Sequence, residues 1–217
     1  MVTEQLVREI VERVLGGLPG ADANTVPVEI SGRHIHLSQM HVDELFGQGY
    51  LLRPKRDISQ PGQFLCEERV RLIGPKGVME SVAVLGPVRA STQVELSATD
   101  TRQLGVRAPL RMSGNLEGAA DLLVTAGDKC ILAKGSAIVA RNHIHMTPED
   151  ALRYRVSDRE LVDVRIGDER PVTFENVTIR VDANCRLAMH IDIDEANACL
   201  CRGEMTGLLR RRGNDRR

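Results

Sequence analysis

Residues 2–18 place apolar side chains at Leu6, Val7, Ile10, Val11, Val14, Leu15 and Leu18, the i, i+3, i+4 recurrence of an amphipathic helix. Thr3 suits its N-cap, and Gly16-Gly17 with Pro19-Gly20 ends it. Such a segment either packs on its own domain or docks on another protein. From Val26 the period drops to two. Short β-branched runs bounded by turn residues predict strands at 26–30, 70–73, 81–85, 93–96, 137–140, 161–166, 177–181 and 187–191. Helical turns are expected at 38–45, 147–152 and 195–200, with Ser38 and Thr147 as N-caps and Pro148 at the first helical position. Many short strands with Gly-rich turns make the chain mainly β, a barrel or a sandwich, and a duplicated pattern makes two similar ones.

The duplication is carried by histidine. Arg33-His34-Ile35-His36-Leu37-Ser38 returns half a chain later as Asn142-His143-Ile144-His145-Met146-Thr147. In a strand, the two imidazoles of His-Ile-His point to one face, roughly 6.6 Å apart at Cα. A second similarity follows each copy, running from Val82 to Asp100 and from Val177 to Glu195. Its register sets Glu95 opposite His190. The repeat therefore offers two matched triads, His34/His36/Glu95 and His143/His145/His190, whose ligand types suit zinc or a similar ion with a position left open. His41 has no partner in the repeat, because Asp150 stands opposite it, and is expected on the surface of the following helical turn.

Composition narrows the function. Net charge is −1, and only four of the 29 basic residues are Lys, so nothing favours nucleic acid over the whole surface. With no Trp, two Tyr and three Phe, the stacking platforms of single-strand binders are missing. The five cysteines form no Cys-x-x-Cys and read as reduced thiols of a cytoplasmic protein. No apolar run reaches the length of a membrane span, and charges from Glu4 to Arg13 break up any secretory core.

Together these features resemble the Pdu-type phosphotransacylases, phosphate acyltransferases best known from bacterial microcompartments that degrade 1,2-propanediol. The resemblance rests on residues 31–38, on Gly86-Pro87-Val88-Arg89-Ala90-Ser91-Thr92-Gln93-Val94-Glu95, on Met112-Ser113-Gly114-Asn115 and on residues 140–146. It implies two zinc ions per chain, one on each triad, and phosphate contacts from Arg89 and Ser113. It also implies coenzyme A contacts from Ser31, Arg56 and Asn197. The implied architecture is one β-barrel from 22–32 plus 141–210, another from 33–140 and a targeting helix at 1–20; the Arg-rich residues 211–217 read by themselves as a disordered basic tail. Residues 1–20 would join microcompartment shell or core enzymes, which places the protein inside that compartment in the cytoplasm. Self-association is left open.

The chemistry fits the implied activity. Phosphate is a weak, heavily hydrated nucleophile; zinc can strip and position one oxygen while an Arg fork holds two others. The alternatives are a dinuclear zinc hydrolase, which would activate water instead, and a zinc-stabilised scaffold without catalysis.

Overall fold

In the computed structural model, which describes residues 24–212, alternating strands close into two barrels. The chain runs through β1 (Thr25–Ile30), β2 (His34–Ser38), α1 (Gln39–Phe46), β3 (Pro54–Asp57), β4 (Phe64–Ile73) and β5 (Val78–Arg89). It continues through β6 (Gln93–Leu96), α2 (Ala98–Leu104), β7 (Leu110–Arg111), β8 (Ala120–Ala126) and β9 (Lys129–Ala140). Then follow β10 (His143–Met146), α3 (Pro148–Tyr154), β11 (Leu161–Ile166), β12 (Val172–Val181), β13 (Ala188–Ile191), α4 (Ile193–Ala198) and β14 (Met205–Arg211).

One barrel closes in the order β1-β13-β10-β12-β11-β14, so the first strand is built into the C-terminal half. The other closes as β4-β5-β2-β6-β9-β8, with β8 returning to β4 and with β3 and β7 added at its margins. Closure removes the free strand edges that would otherwise invite pairing with other chains.

Period-two alternation decides which side chains fill each barrel. Ile35, Leu37, Val94 and Leu96 enter one core, and Ile144, Met146, Ile179 and Met189 the other. Their neighbours His34, His36, Glu95, His143 and His145 therefore point outwards. His34, His36, Glu95 and His143 are nonetheless buried, and residues of both barrels line the cavity they face. Two hydrogen bonds lock that arrangement: the buried Gln60 amide donates to the Arg186 carbonyl at 3.1 Å and accepts the Arg186 N–H at 3.3 Å. A third contact runs from the Thr99 N–H to Asp194 Oδ2 at 2.8 Å, tying the start of α2 to α4.

Local signals worked where they were strong. Ser38 caps α1, and Thr147 caps α3 with Pro148 at its first position. The helix expected at 195–200 begins earlier, because Asp192 is its N-cap and forms a capping box with Glu195. Helix α2 was not expected, yet the repeat register copies that box onto Ser97 and Asp100, which do form one. Strands β3, β7, β8 and β14 were also unforeseen; β14 turns only Gly207 and Leu209 inward, too little alternation to read.

The expectation of a frayed tail at 211–217 needs correcting at its start. Arg211 ends β14 and pairs with Glu160 just before β11, and Arg212 pairs with Asp163 of β11 and Glu175 of β12, because the neighbouring strands offer carboxylates beside it. The helix expected at 2–18, the 1–20 segment and residues 213–217 lie outside the described residues.

Candidate active site

Strand pairing assembles both triads. Across antiparallel β2 and β6, His34 lies opposite Glu95 and His36 opposite Gln93. Across β10 and β13, His143 lies opposite His190. The ligand-capable atoms of His34, His36 and Glu95 lie within 4.8 Å of one another, and so do those of His143, His145 and His190.

The backbone fixes the tautomers. His34 Nδ1–H donates to the Gly32 carbonyl at 2.8 Å, and His143 Nδ1–H donates to the Arg141 carbonyl at 2.9 Å. A carbonyl only accepts, so the Nε2 lone pair of each ring is left for the site. His143 Nε2 lies 3.1 Å from His145 Nε2, and His34 Nε2 lies 3.7 Å from Glu95 Oε2. His36 Nδ1 and His190 Nε2 are buried without a hydrogen-bond partner, although His190 Nε2 comes within 3.3 Å of Glu29 Oε2. Buried polar atoms are rarely left unsatisfied, and a zinc-like ion fits this donor set.

Electrostatics favour the metal-ready protonation states. Burial lowers His36 to about 2, His143 to about 4 and His145 to about 3, so all three rings are neutral at pH 7. Burial pushes Glu95 upward, but the His34 ring, the Ser113 hydroxyl and neighbouring charges outweigh it and hold the carboxyl at about 2.

Both triads open on one cavity of about 270 Å³, which Arg89, Ser113 and Ser31 also line. Arg89 Nη1 donates to Ser113 Oγ at 3.4 Å. The Ser113 hydroxyl itself donates to Glu95 Oε1 at 2.7 Å, which commits its proton to a carboxylate of the first triad. Burial lowers the Arg89 pKa and the positive charge of Arg180 acts in the same direction, against the opposing pull of Glu95.

Of the other expected residues, Arg56 stands on exposed β3 and lines a neighbouring cavity with Ser31. Asn197 sits on the exposed side of α4 and lines none of the cavities described here. His41 is on α1 as expected, yet it is half-buried and not a free surface group: Nδ1 is 2.7 Å from Thr92 Oγ1, which also accepts the Ser38 N–H.

Two site residues escaped the sequence reading. Gln93 is buried; its amide donates to Glu95 Oε1 at 2.6 Å and to Ser113 Oγ at 2.9 Å, and accepts the Gly114 N–H at 2.8 Å. It therefore joins Glu95 and its strand β6 to the 113–114 turn. Arg180 lines the cavity because β12 pairs with β10 and sets it opposite His145. Its signal was available: in the repeat that aligns Glu95 with His190, Arg180 takes the place of Leu85.

Fold and site together define a twin-barrel protein with paired three-ligand clusters facing a cavity lined by residues of both barrels. Comparison with known proteins agrees on its class. The phosphate propanoyltransferase family model matches residues 27–202, and the chain belongs to that family of transferases. It is 51% identical to the phosphate propanoyltransferase of Leptotrichia buccalis over 94% of this chain and 95% of that one. It is 49% identical to the one of Clostridioides difficile over 90% and 93%, and 48% identical to the one of Enterococcus faecalis over 89% and 92%.

Proposed function

We propose that this chain transfers a short acyl group, propanoyl or acetyl, directly between coenzyme A and inorganic phosphate. Two zinc ions per chain would be held by His34, His36 and Glu95 and by His143, His145 and His190. The supporting observation is the convergence of both triads and Arg89 on one cavity, in a chain whose relatives are phosphate propanoyltransferases. When bound, such ions supply Lewis-acid charge beside the reacting oxygens.

The residues do the positioning. Arg89 presents a planar fork to two phosphate oxygens, and Ser113 fixes the guanidinium by accepting from it. Gln93 holds Ser113 and Glu95 in place from behind. Ser31 and Arg56 meet coenzyme A in the adjoining cavity, and Asn197 meets an outer part of the same molecule. Phosphate and thioester are thereby held side by side, which makes a two-body encounter a one-body step. An oxygen of hydrogenphosphate forms a bond to the thioester carbonyl carbon, the C–S bond breaks, and the phosphate proton passes to the departing sulfur. The products are acyl phosphate and coenzyme A thiol.

Residues 1–20 are proposed to deliver the enzyme to a microcompartment, as their amphipathic pattern suggests. Among the described residues, no helix is long and apolar enough to cross a membrane.

The deciding assay measures coenzyme A release by zinc-loaded protein from acetyl-, propanoyl- and butanoyl-coenzyme A, with acyl phosphate trapped as hydroxamate. Phosphate-dependent release with trapped acyl phosphate is expected. Release without phosphate would mean a hydrolase, and bound metal without turnover a scaffold.

A further inference from the structure

Two more cavities adjoin the central one, on either side of a strap formed by residues 57–63. One, of about 440 Å³, carries Arg56 and shares Ser31, His34, Ile58, Leu85 and His190 with the central cavity. The other, of about 810 Å³, carries Cys185 and shares Gln60, Gln63, Ser113, His145 and Arg180. These outer cavities have no lining residue in common. The strap divides them: Ile58 and Ser59 face the first, Gln60 and Gln63 the second. Exposed residues stand in both walls, Arg33 and Arg56 in one, Asn115 and Asn184 in the other, so each reaches solvent.

The duplication makes the two approaches chemically different. Leu85 lies opposite His36 across parallel β2 and β5, and Arg180 lies opposite His145 across parallel β10 and β12. One position of the repeat is thus apolar towards the Arg56 cavity and cationic towards the Cys185 cavity.

We propose that phosphate and acyl phosphate travel through the Cys185 cavity, and that Arg180, which lines both that cavity and the central one, holds the phosphoryl group where the two meet, facing Arg89 from the other barrel. Coenzyme A keeps to the Arg56 cavity. This rests on the phosphotransacylase reading above and adds a second phosphate-holding residue and a separate route.

Three observations carry it. Arg180 is half-buried, and among the described residues no carboxylate lies within ion-pair distance of it. The acidic groups in the same cavity wall are committed elsewhere. Asp158 accepts the Val181 N–H at 2.9 Å and faces Arg159 at 3.6 Å, and Asp182 accepts the Asn184 N–H at 2.8 Å. Lastly, Arg89 and Arg180 line one cavity from opposite barrels. Two guanidinium groups facing a partly buried space repel unless an anion lies between them, and a phosphate dianion has oxygens enough for both. Separate routes also let phosphate arrive and acyl phosphate leave while coenzyme A stays bound.

The test combines kinetics with a probe that does not depend on turnover. In zinc-loaded enzyme, Arg180→Gln should raise the phosphate KM by about tenfold or more, leaving the acyl-coenzyme A KM within about twofold and the metal content unchanged. Arg180→Lys should recover part of the loss, since it keeps the charge without the fork. Independently, alkylation of Cys185 by iodoacetamide, followed by peptide mass spectrometry with exposed Cys130 as internal standard, should be slowed severalfold by inorganic phosphate and not by coenzyme A. The protection should disappear in Arg180→Gln. An unchanged phosphate KM, a parallel rise in both KM values with metal loss, or protection of Cys185 by coenzyme A would each overturn the proposal. If the wild-type enzyme transfers no acyl group yet phosphate still protects Cys185, the acyl-transfer reading fails and the phosphate site stands.

Discussion

His34 and Glu95 are register partners across β2 and β6, with Nε2 3.7 Å from Oε2, and neither contributes to the interior of its barrel. The pair lies on the outer face of one barrel and is closed off from solvent between the two. His143 and His190 repeat the pairing across β10 and β13. A duplicated sheet has thus placed two inequivalent triads of ligand-capable side chains, one with a carboxylate and one all imidazole, on one shared cavity.

Truncating either set should remove one ion. His36→Ala and His145→Ala each leave two protein ligands in their triad, below the three of a typical catalytic zinc site. Elemental analysis after zinc loading should fall from about two ions per chain to about one, with activity lost. A variant that keeps both ions and full turnover would refute the ligand assignment.

Arg89→Lys retains charge but loses the planar fork. The phosphate KM should rise by about tenfold or more with zinc content constant. Gln93→Leu should behave differently. It unpairs the Gly114 N–H and frees Ser113 from Gln93, so kcat should fall together with the affinity for the Glu95-bound ion. Steady-state kinetics alongside metal titration separates the two patterns.

No acyl-enzyme should form on a cysteine. No thiol lines the central cavity, and burial pushes Cys66 up to about 12 and raises Cys185 and Cys201, so little nucleophilic thiolate exists near pH 7. Double-reciprocal plots should intersect, and intact-mass spectra during turnover should show no added acyl mass. Parallel lines or an acylated peptide would contradict direct transfer.

Glu195 should leave a mark on the pH dependence of stability. Burial raises its carboxyl from the ordinary 4.5 to about 7 in the folded protein. Between those values the folded state binds a proton that the unfolded chain has released, so the Glu195 contribution to stability is fully present below pH 4.5 and is lost as pH rises through 7. The contribution is on the order of 3 kcal/mol at most. Urea denaturation of wild type and Glu195→Gln at pH 5 and pH 8 should show the variant gaining relative stability at pH 8. Equal differences at both values would show that the carboxyl does not titrate in this window.

By itself the sequence determined what is local or repeated. Alternation marked the strands that carry the triads, since a strand's two faces follow from its own residues. Ser38, Thr147 and Pro148 announced two helix starts because a cap is decided within four positions. The repeat of His-Ile-His, with Glu95 set against His190, made both triads legible before any pairing was known. Only the tertiary structure decided what depends on distant partners. Strand β1 pairs with β13 and β14, more than 150 residues away, and such pairings are fixed by barrel closure and not by local preference. Gln93 read as an ordinary polar position, and Arg180 differed from Leu85 in the repeat without showing which way it faced, until β2–β6 and β10–β12 register set them beside the two triads. The strap at 57–63 carries no strong sequence signal; its place comes from the Gln60 bonds to Arg186, a residue of the opposite barrel, which divide one cleft into two approaches.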